Sequence, residues 1–221
     1  QNTEQSLINS GHIHAISMAK SQLLPSSLLL ESYSGIDFLH FVSGLIKELE
    51  KSKGAWEKFL EKLESLQKKI FNLSNLHISI AGATEKREEL EAEIVKEFLP
   101  KCNVDSSRNL KIPTPKKEDT ALAIPGNVNY ESAAINLKQL GEENNYAFDV
   151  VGNAISLDYL WNTIRVKGGA YGAGFVSTNA GTLSFYTYRD PNIKTSFDNF
   201  TRTAEYLLNY DPSAEELEGY I

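Results

Sequence analysis

"IRVKGGAYGAG" (residues 164–174) sets Arg165 and Lys167 against Gly168, Gly169, Gly172 and Gly174, with Tyr171 in their midst. Glycine at that density marks a backbone that turns sharply or is closely approached. The flanks fix the reading. Residues 145–165 are apolar nearly all round (Phe148, Val151, Ile155, Leu157, Leu160, Trp161, Ile164), the composition of a helix sandwiched in a core. After the glycines, "AGFVST" and "TLSFYTYR" flank Asn179-Ala180-Gly181, a hairpin signal. Phosphate cradles run from strand through glycines into a helix N-terminus. Here the order is helix, glycines, strand, and the glycine spacing fits neither the dinucleotide nor the Walker pattern. A nucleotide loop is excluded.

Working outward, "TALAIP" (120–125) and "NVNYESAAIN" (127–136) read as two strands parted by Pro125-Gly126. Asp190-Pro191-Asn192 turns the chain into a helix with Phe197, Phe200, Ala204 and Leu207 on one side. The order β-β-α-β-β-α predicts an α+β fold, a mostly antiparallel sheet with helices packed on one face. The first half is mostly helical. Residues 36–49 carry a helical apolar period, and after Gly54 so do Trp56, Phe59, Leu60, Leu63, Leu66 and Ile70, with Glu57, Lys58, Glu61, Lys62, Glu64 and Lys68 on the solvated side. "LHISIA" (76–81) alternates like a strand, and Thr84 is expected to cap a helix ending near Leu99-Pro100. Residues 101–119 are polar, carry two prolines and have no period. The expected division is therefore 1–108, a linker at 109–118, and 119–221.

At 221 residues, 41% hydrophobic and 23% charged, the composition is that of a soluble globular protein. A net charge of −7 argues against nucleic acid as partner, and no apolar run is long enough for a membrane span. The lone Cys102 fits a reducing compartment, leaving cytoplasm and organelle matrix both open. Ser213 and Glu216 have capping-box spacing, yet the sequence stops at Ile221, about two turns later. A fragment of a longer chain is expected.

Two further readings of the glycine segment stay open on residues alone. In the structural one, Gly168 ends the helix as a left-handed cap and Gly172 and Gly174 thin the strand where another backbone crosses. In the other, Arg165 and Tyr171 place a cation and a phenol donor beside a bare backbone, which Gly168, Gly169 and Gly172 let an extended peptide approach. A carbonyl gaining negative charge during hydrolysis needs donors of this kind.

"LWNTIRVKGGAYGAGF" (160–175) and "YTYRDPN" (186–192), with "INSGHIHAISMAKSQLL" (8–24) and "ESYSGIDFLHFVSGL" (31–45), resemble the C-terminal half of pitrilysin-type zinc metallopeptidases, in the branch of presequence protease and falcilysin. In that family, four similar α+β lobes form two halves that close around a chamber. The first lobe carries zinc on an inverted H-x-x-E-H helix. The fourth contributes an arginine and a tyrosine six residues apart, which Arg165 and Tyr171 match. The resemblance implies that residues 1–108 are the later part of the third lobe and 119–221 the first part of the fourth. It implies a metalloendopeptidase of short unstructured peptides. Zinc would be bound outside this chain, in an N-terminal half acting as partner, and Arg165 and Tyr171 would serve catalysis. The histidines, His12, His14, His40 and His77, include no H-x-x-E-H, so the isolated chain is expected to be inactive. The rival expectation is a catalytically inactive scaffold or peptide-binding lobe.

Overall fold

The computed structural model describes residues 5, 9–51, 53–102, 104 and 111–221. They form two compact units, Gln1–Phe41 with Ile112–Ile221, and Val42–Lys111. The fold is α+β. Its helices, in chain order, are α1 (Gly11–Ser21), α2 (Pro25–Ser34), α3 (Ile36–Lys51), α4 (Ala55–Ile70), α5 (Thr84–Glu93), α6 (Ala147–Ala154), α7 (Lys194–Leu208) and α8 (Ala214–Gly219). The strands are β1 (Ser132–Asn136), β2 (Gly172–Ser177) and β3 (Thr182–Tyr188).

The sheet is antiparallel, in the order β1-β3-β2. Gly174 stands opposite Tyr186, Phe175 opposite Phe185, and Ala134 opposite Ser184. The β2–β3 hairpin closes at Gly181, in left-handed backbone (φ 76°), whose N–H donates to the Thr178 carbonyl at 2.8 Å. Glycine meets that conformation without a Cβ penalty.

Because side chains alternate across a strand, β3 sends Leu183, Phe185 and Thr187 to one face and Ser184, Tyr186 and Tyr188 to the other. The first face takes the helices. α6 continues from Ile155 to Val166 with the wider hydrogen-bond pattern of a π-helix. Ile155, Leu160 and Ile164 are all but fully buried there, five and four residues apart, a spacing that a looser winding keeps on one side. With Ala170 and Phe200 they form the core, against which Phe175 and Phe185 pack. Phe185 stacks on Phe200 at 5.1 Å. The helix is not apolar-buried on every side as its composition suggests: Leu157 is 60% exposed and Val166 65%.

The second face of the sheet takes α1. The His12 ring lies 4.7 Å from Tyr188 and 5.8 Å from Tyr186. Gly11 permits this approach, since a Cβ there would fall 2.2 Å from the Tyr130 ring. At the other end of α1, Gln22 accepts from the Glu118 N–H at 3.0 Å, and the Leu23 carbonyl accepts from Gln139 at 3.1 Å. The buried Glu31 carboxylate accepts from Ser17 Oγ at 2.6 Å and from the Ile36 N–H at 2.8 Å, joining α1 and α2 to the start of α3. These bonds explain why residues before Phe41 belong with the sheet.

Three expectations are corrected. "TALAIP" is not a strand; the chain first meets the sheet at an isolated bridge from Asn129 to Asp190, and β1 begins at Ser132. "LHISIA" likewise forms no strand: Leu76 is extended, but among the described residues nothing offers its unit a ladder. Alternation becomes a strand only where a neighbour supplies hydrogen bonds. Thr84 is the first residue of α5, not its cap, which is Ala83. Of the linker expected at 109–118, residues 109 and 110 lie outside the described residues, and 111–118 carry neither helix nor strand. The Ser213 capping box is present: the Ser213 N–H donates to Glu216 Oε2 at 2.7 Å, and the Glu216 N–H to Ser213 Oγ at 3.2 Å.

Candidate functional site

The two motifs on either side of the hairpin meet where the π-helical segment ends. The Gly169 N–H donates to the Arg165 carbonyl at 3.0 Å, and the Ala170 N–H to the Ile164 carbonyl at 3.2 Å. The left-handed residue that reverses the chain is Gly169 (φ 82°), one position later than Gly168, where the cap was expected. Gly168 is needed for a different reason: a Cβ there would sit 2.5 Å from the Ile164 carbonyl oxygen. Gly172 faces ordinary contact only, 3.8 Å from Tyr188 Cβ, so space alone does not require a glycine at that position.

Asn192 fastens this turn from the other side, donating through Nδ2 to the Gly168 carbonyl at 2.7 Å. Asn192 is in turn set by Asp190, a fully buried carboxylate that accepts from the Asn192 N–H at 2.8 Å and from Ser196 Oγ at 2.5 Å. The Asn129 and Asp190 backbones exchange hydrogen bonds at 2.8 and 3.0 Å. Beneath lies a second buried carboxylate, Glu131, which accepts from the Thr187 hydroxyl. Its pKa is pushed up from 4.5 to about 8, first by burial and then by Asp190.

On this frame the expected pair comes together. The Arg165 guanidinium carbon lies over Trp161, 3.7 Å from the ring centroid, and 5.8 Å from that of Tyr171. Stacking of this kind fixes a cation's plane while leaving its N–H groups to point outward. Tyr171 is 66% exposed, and its backbone N–H donates to the Tyr188 carbonyl at 3.1 Å. Its ring meets Tyr188 edge-on at 5.6 Å. Tyr188 in turn lies 5.5 Å under the Arg189 guanidinium and 5.7 Å from Tyr130.

Composition signalled Arg165 and Tyr171. It did not signal Trp161 as the platform, Asp190 as the anchor, or Arg189 as a second surface cation. Asp190-Pro191-Asn192 read only as a turn, and nothing in the sequence puts its Asn192 against Gly168. Among the described residues no three of His, Cys, Asp or Glu come together as metal ligands. His12 has its Nδ1 buried without a partner and its pKa lowered by burial and then by His14, but the rings of Tyr186 and Tyr188 lie beside it. These residues do not fit a zinc ion.

The fold and the site define an α+β lobe with Arg165 and Tyr171 beside the edge strand of an antiparallel sheet. Residues 119–219 match the family model described as PreP C-terminal domain. Protein HypA of Clostridium perfringens is 30% identical over 222 residues, covering 99% of this chain and 22% of that protein. The mitochondrial presequence protease of Saccharomyces cerevisiae is 29% identical, covering 92% of this chain and 21% of its own length. Presequence protease 1 of Arabidopsis thaliana, chloroplastic/mitochondrial, is 28% identical across 99% of this chain and 20% of its own length. The chain thus spans about a fifth of the curated relatives it matches. Among the described residues no helix is long and apolar enough to cross a membrane.

Proposed function

We propose that this chain is the non-zinc, C-terminal-half part of a zinc metalloendopeptidase that degrades short unstructured peptides. Residues 1–108 are the later part of its third lobe and 119–221 the first part of its fourth. Zinc and its ligands belong to an N-terminal half of the same polypeptide, which is this chain's partner around the substrate. Zinc supplies the Lewis acid and the activated water of hydrolysis there.

Arg165 holds a backbone carbonyl of the bound peptide. Tyr171 donates its phenolic proton in a hydrogen bond to the oxygen that gains negative charge as the peptide carbonyl is attacked. Gly168 and Gly169 keep side chains out of the way of the approaching backbone, and Gly172 does the same at the start of β2. The observation that carries this reading is the Arg165–Tyr171 pair itself, 5.8 Å apart on an exposed rim and set by a bond from Asn192 to Gly168. Nothing in the core requires an exposed phenol there. The mitochondrial and chloroplast names of the relatives favour an organelle matrix as the compartment.

In the full-length protein, Tyr171→Phe should lower turnover of a short peptide about ten- to a thousandfold, the range for losing one oxyanion donor. Arg165→Ala should raise KM as well. Wild-type kcat and KM in both variants would refute the assignment. A full-length protein that binds peptide but never cleaves it would make this a peptide-binding scaffold. The isolated chain should cleave nothing.

A further inference from the structure

We infer that Arg189 forms a second peptide subsite on the same rim, which takes a carboxylate group of the bound peptide. The inference rests on the peptide-contacting reading of Arg165 and Tyr171.

Four observations support it. Arg189 has left-handed backbone (φ 51°), the only non-glycine among the described residues to do so. That conformation costs an ordinary residue about 1 kcal/mol, and glycine would adopt it freely. The neighbours enforce it, since Asp190 is tied on both sides to Asn129 and through its carboxylate to Ser196. An arginine at a position that suits glycine points to use of its side chain. Second, that side chain is presented outward. The guanidinium is exposed, held over the Tyr188 ring and bonded to the Tyr130 hydroxyl oxygen, which pushes its pKa further up.

Third, its charge is uncompensated. Among the described residues no ion pair involves Arg189 or Arg165, although the chain as a whole carries −7. The nearest carboxylates do not cancel it: Asp190 is buried and spent on Asn192 and Ser196, and Glu131 is kept largely neutral by burial below about pH 8. Fourth, Arg189 lines a hollow of about 130 Å³ together with Ile124, Pro125, Gly126, Val128 and Tyr130. This is room for one apolar side chain. An apolar hollow beside a fixed cation is the chemistry of a peptide's last residue, its side chain inside and its α-carboxylate on the arginine.

The ring contacts run without a break from Trp161 through Arg165, Tyr171 and Tyr188 to Arg189, so the two cations share one aromatic rim. One peptide lying along it meets Arg165 with its backbone and Arg189 with its carboxylate.

The test is equilibrium binding of labelled, unstructured peptides to the full-length protein, read by fluorescence anisotropy. One pair ends in leucine as free acid or as amide. A second pair is amidated and carries a single Glu or Gln near its end. Wild-type protein should bind the carboxylate member of a pair about three- to tenfold more tightly, the scale of a solvent-exposed charge-assisted hydrogen bond. A ratio seen in the first pair assigns the α-carboxylate, and one in the second a side-chain carboxylate; either supports the subsite. In Arg189→Gln and Arg189→Gly the ratio should fall to about one. Arg189→Gly should also melt at or above the wild-type temperature, because it relieves the left-handed backbone.

A ratio that survives in Arg189→Gly overturns the inference, as does a marked fall in melting temperature for that variant, which would give Arg189 a structural role. Absence of binding by every peptide overturns it together with the reading it rests on. Loss of turnover in Tyr171→Phe with the binding ratio intact, or the reverse, separates the two.

Discussion

The region around the glycine turn and the helical unit Val42–Lys111 are built from equally periodic sequence, and they bury it very differently. In the first, Ile155, Leu160 and Ile164 are sealed, and so are polar Thr182, Thr187 and Asp190. In the second, α4 carries a regular apolar stripe that stays open: Leu60, Leu63, Leu66 and Ile70 are 40–57% exposed, and only Ala55 at its start is buried. Hydrophobic period therefore specifies an element in both places and a packed interior in only one. What distinguishes the site region is a buried polar network that ties together residues far apart in sequence. Its groups are costly to enclose unless satisfied, and once satisfied they admit one arrangement of the chain.

The most damaging way to break that contrast is to remove the anchor. Asp190→Ala leaves the Ser196 hydroxyl and the Asn192 N–H without their acceptor in the interior and frees Asn192 from Gly168. A loss of about 3 kcal/mol is expected, the scale for orphaning groups bonded to a buried charge. Urea unfolding measures it. A loss below about 1 kcal/mol would mean the turn is held by its glycines and not by the polar network.

How much of this could be read from the residues follows the same division. Local signals were legible: the hairpin at Gly181, the Ser213 capping box, the amphipathic α4, and Arg165 with Tyr171 on one glycine-rich turn. All of these are written within a few residues of sequence. What was not legible is non-local. "TALAIP" alternates like a strand, but only a partner strand would make it one. Left-handed backbone fell on Gly169 because the π-winding of Ile155–Val166 shifts the helix end by a residue. The bond from Asn192 to Gly168 spans 24 residues of chain, and it fastens the glycine turn.

Glu131 gives a medium effect that sharpens the comparison by pH. Its folded pKa, about 8, lies above the ordinary 4.5, so the fold prefers the neutral form. Unfolding releases that proton at any pH between the two values. The associated stability is therefore fully present below about pH 4.5 and is lost as pH rises through about 8. Melting temperature should fall over that window, and Glu131→Gln should flatten the fall while keeping an acceptor for Thr187. An equally steep fall in the variant would assign the titration to another group.

The smallest effect is the one that tests the open stripe. Leu63 is 42% exposed on α4, between Leu60 and Leu66 on the same side of the helix. A leucine 42% exposed has about half its transfer free energy to lose, and serine at that position gives up a modest helix propensity. Leu63→Ser should therefore cost only about 1 kcal/mol, well short of the loss expected for Asp190→Ala. The urea midpoint, measured beside that of Asp190→Ala, decides the matter. Comparable losses in the two variants would mean that the α4 stripe is covered in solution. Periodicity would then have specified an interior in both regions, and the buried polar network would no longer set the glycine turn apart.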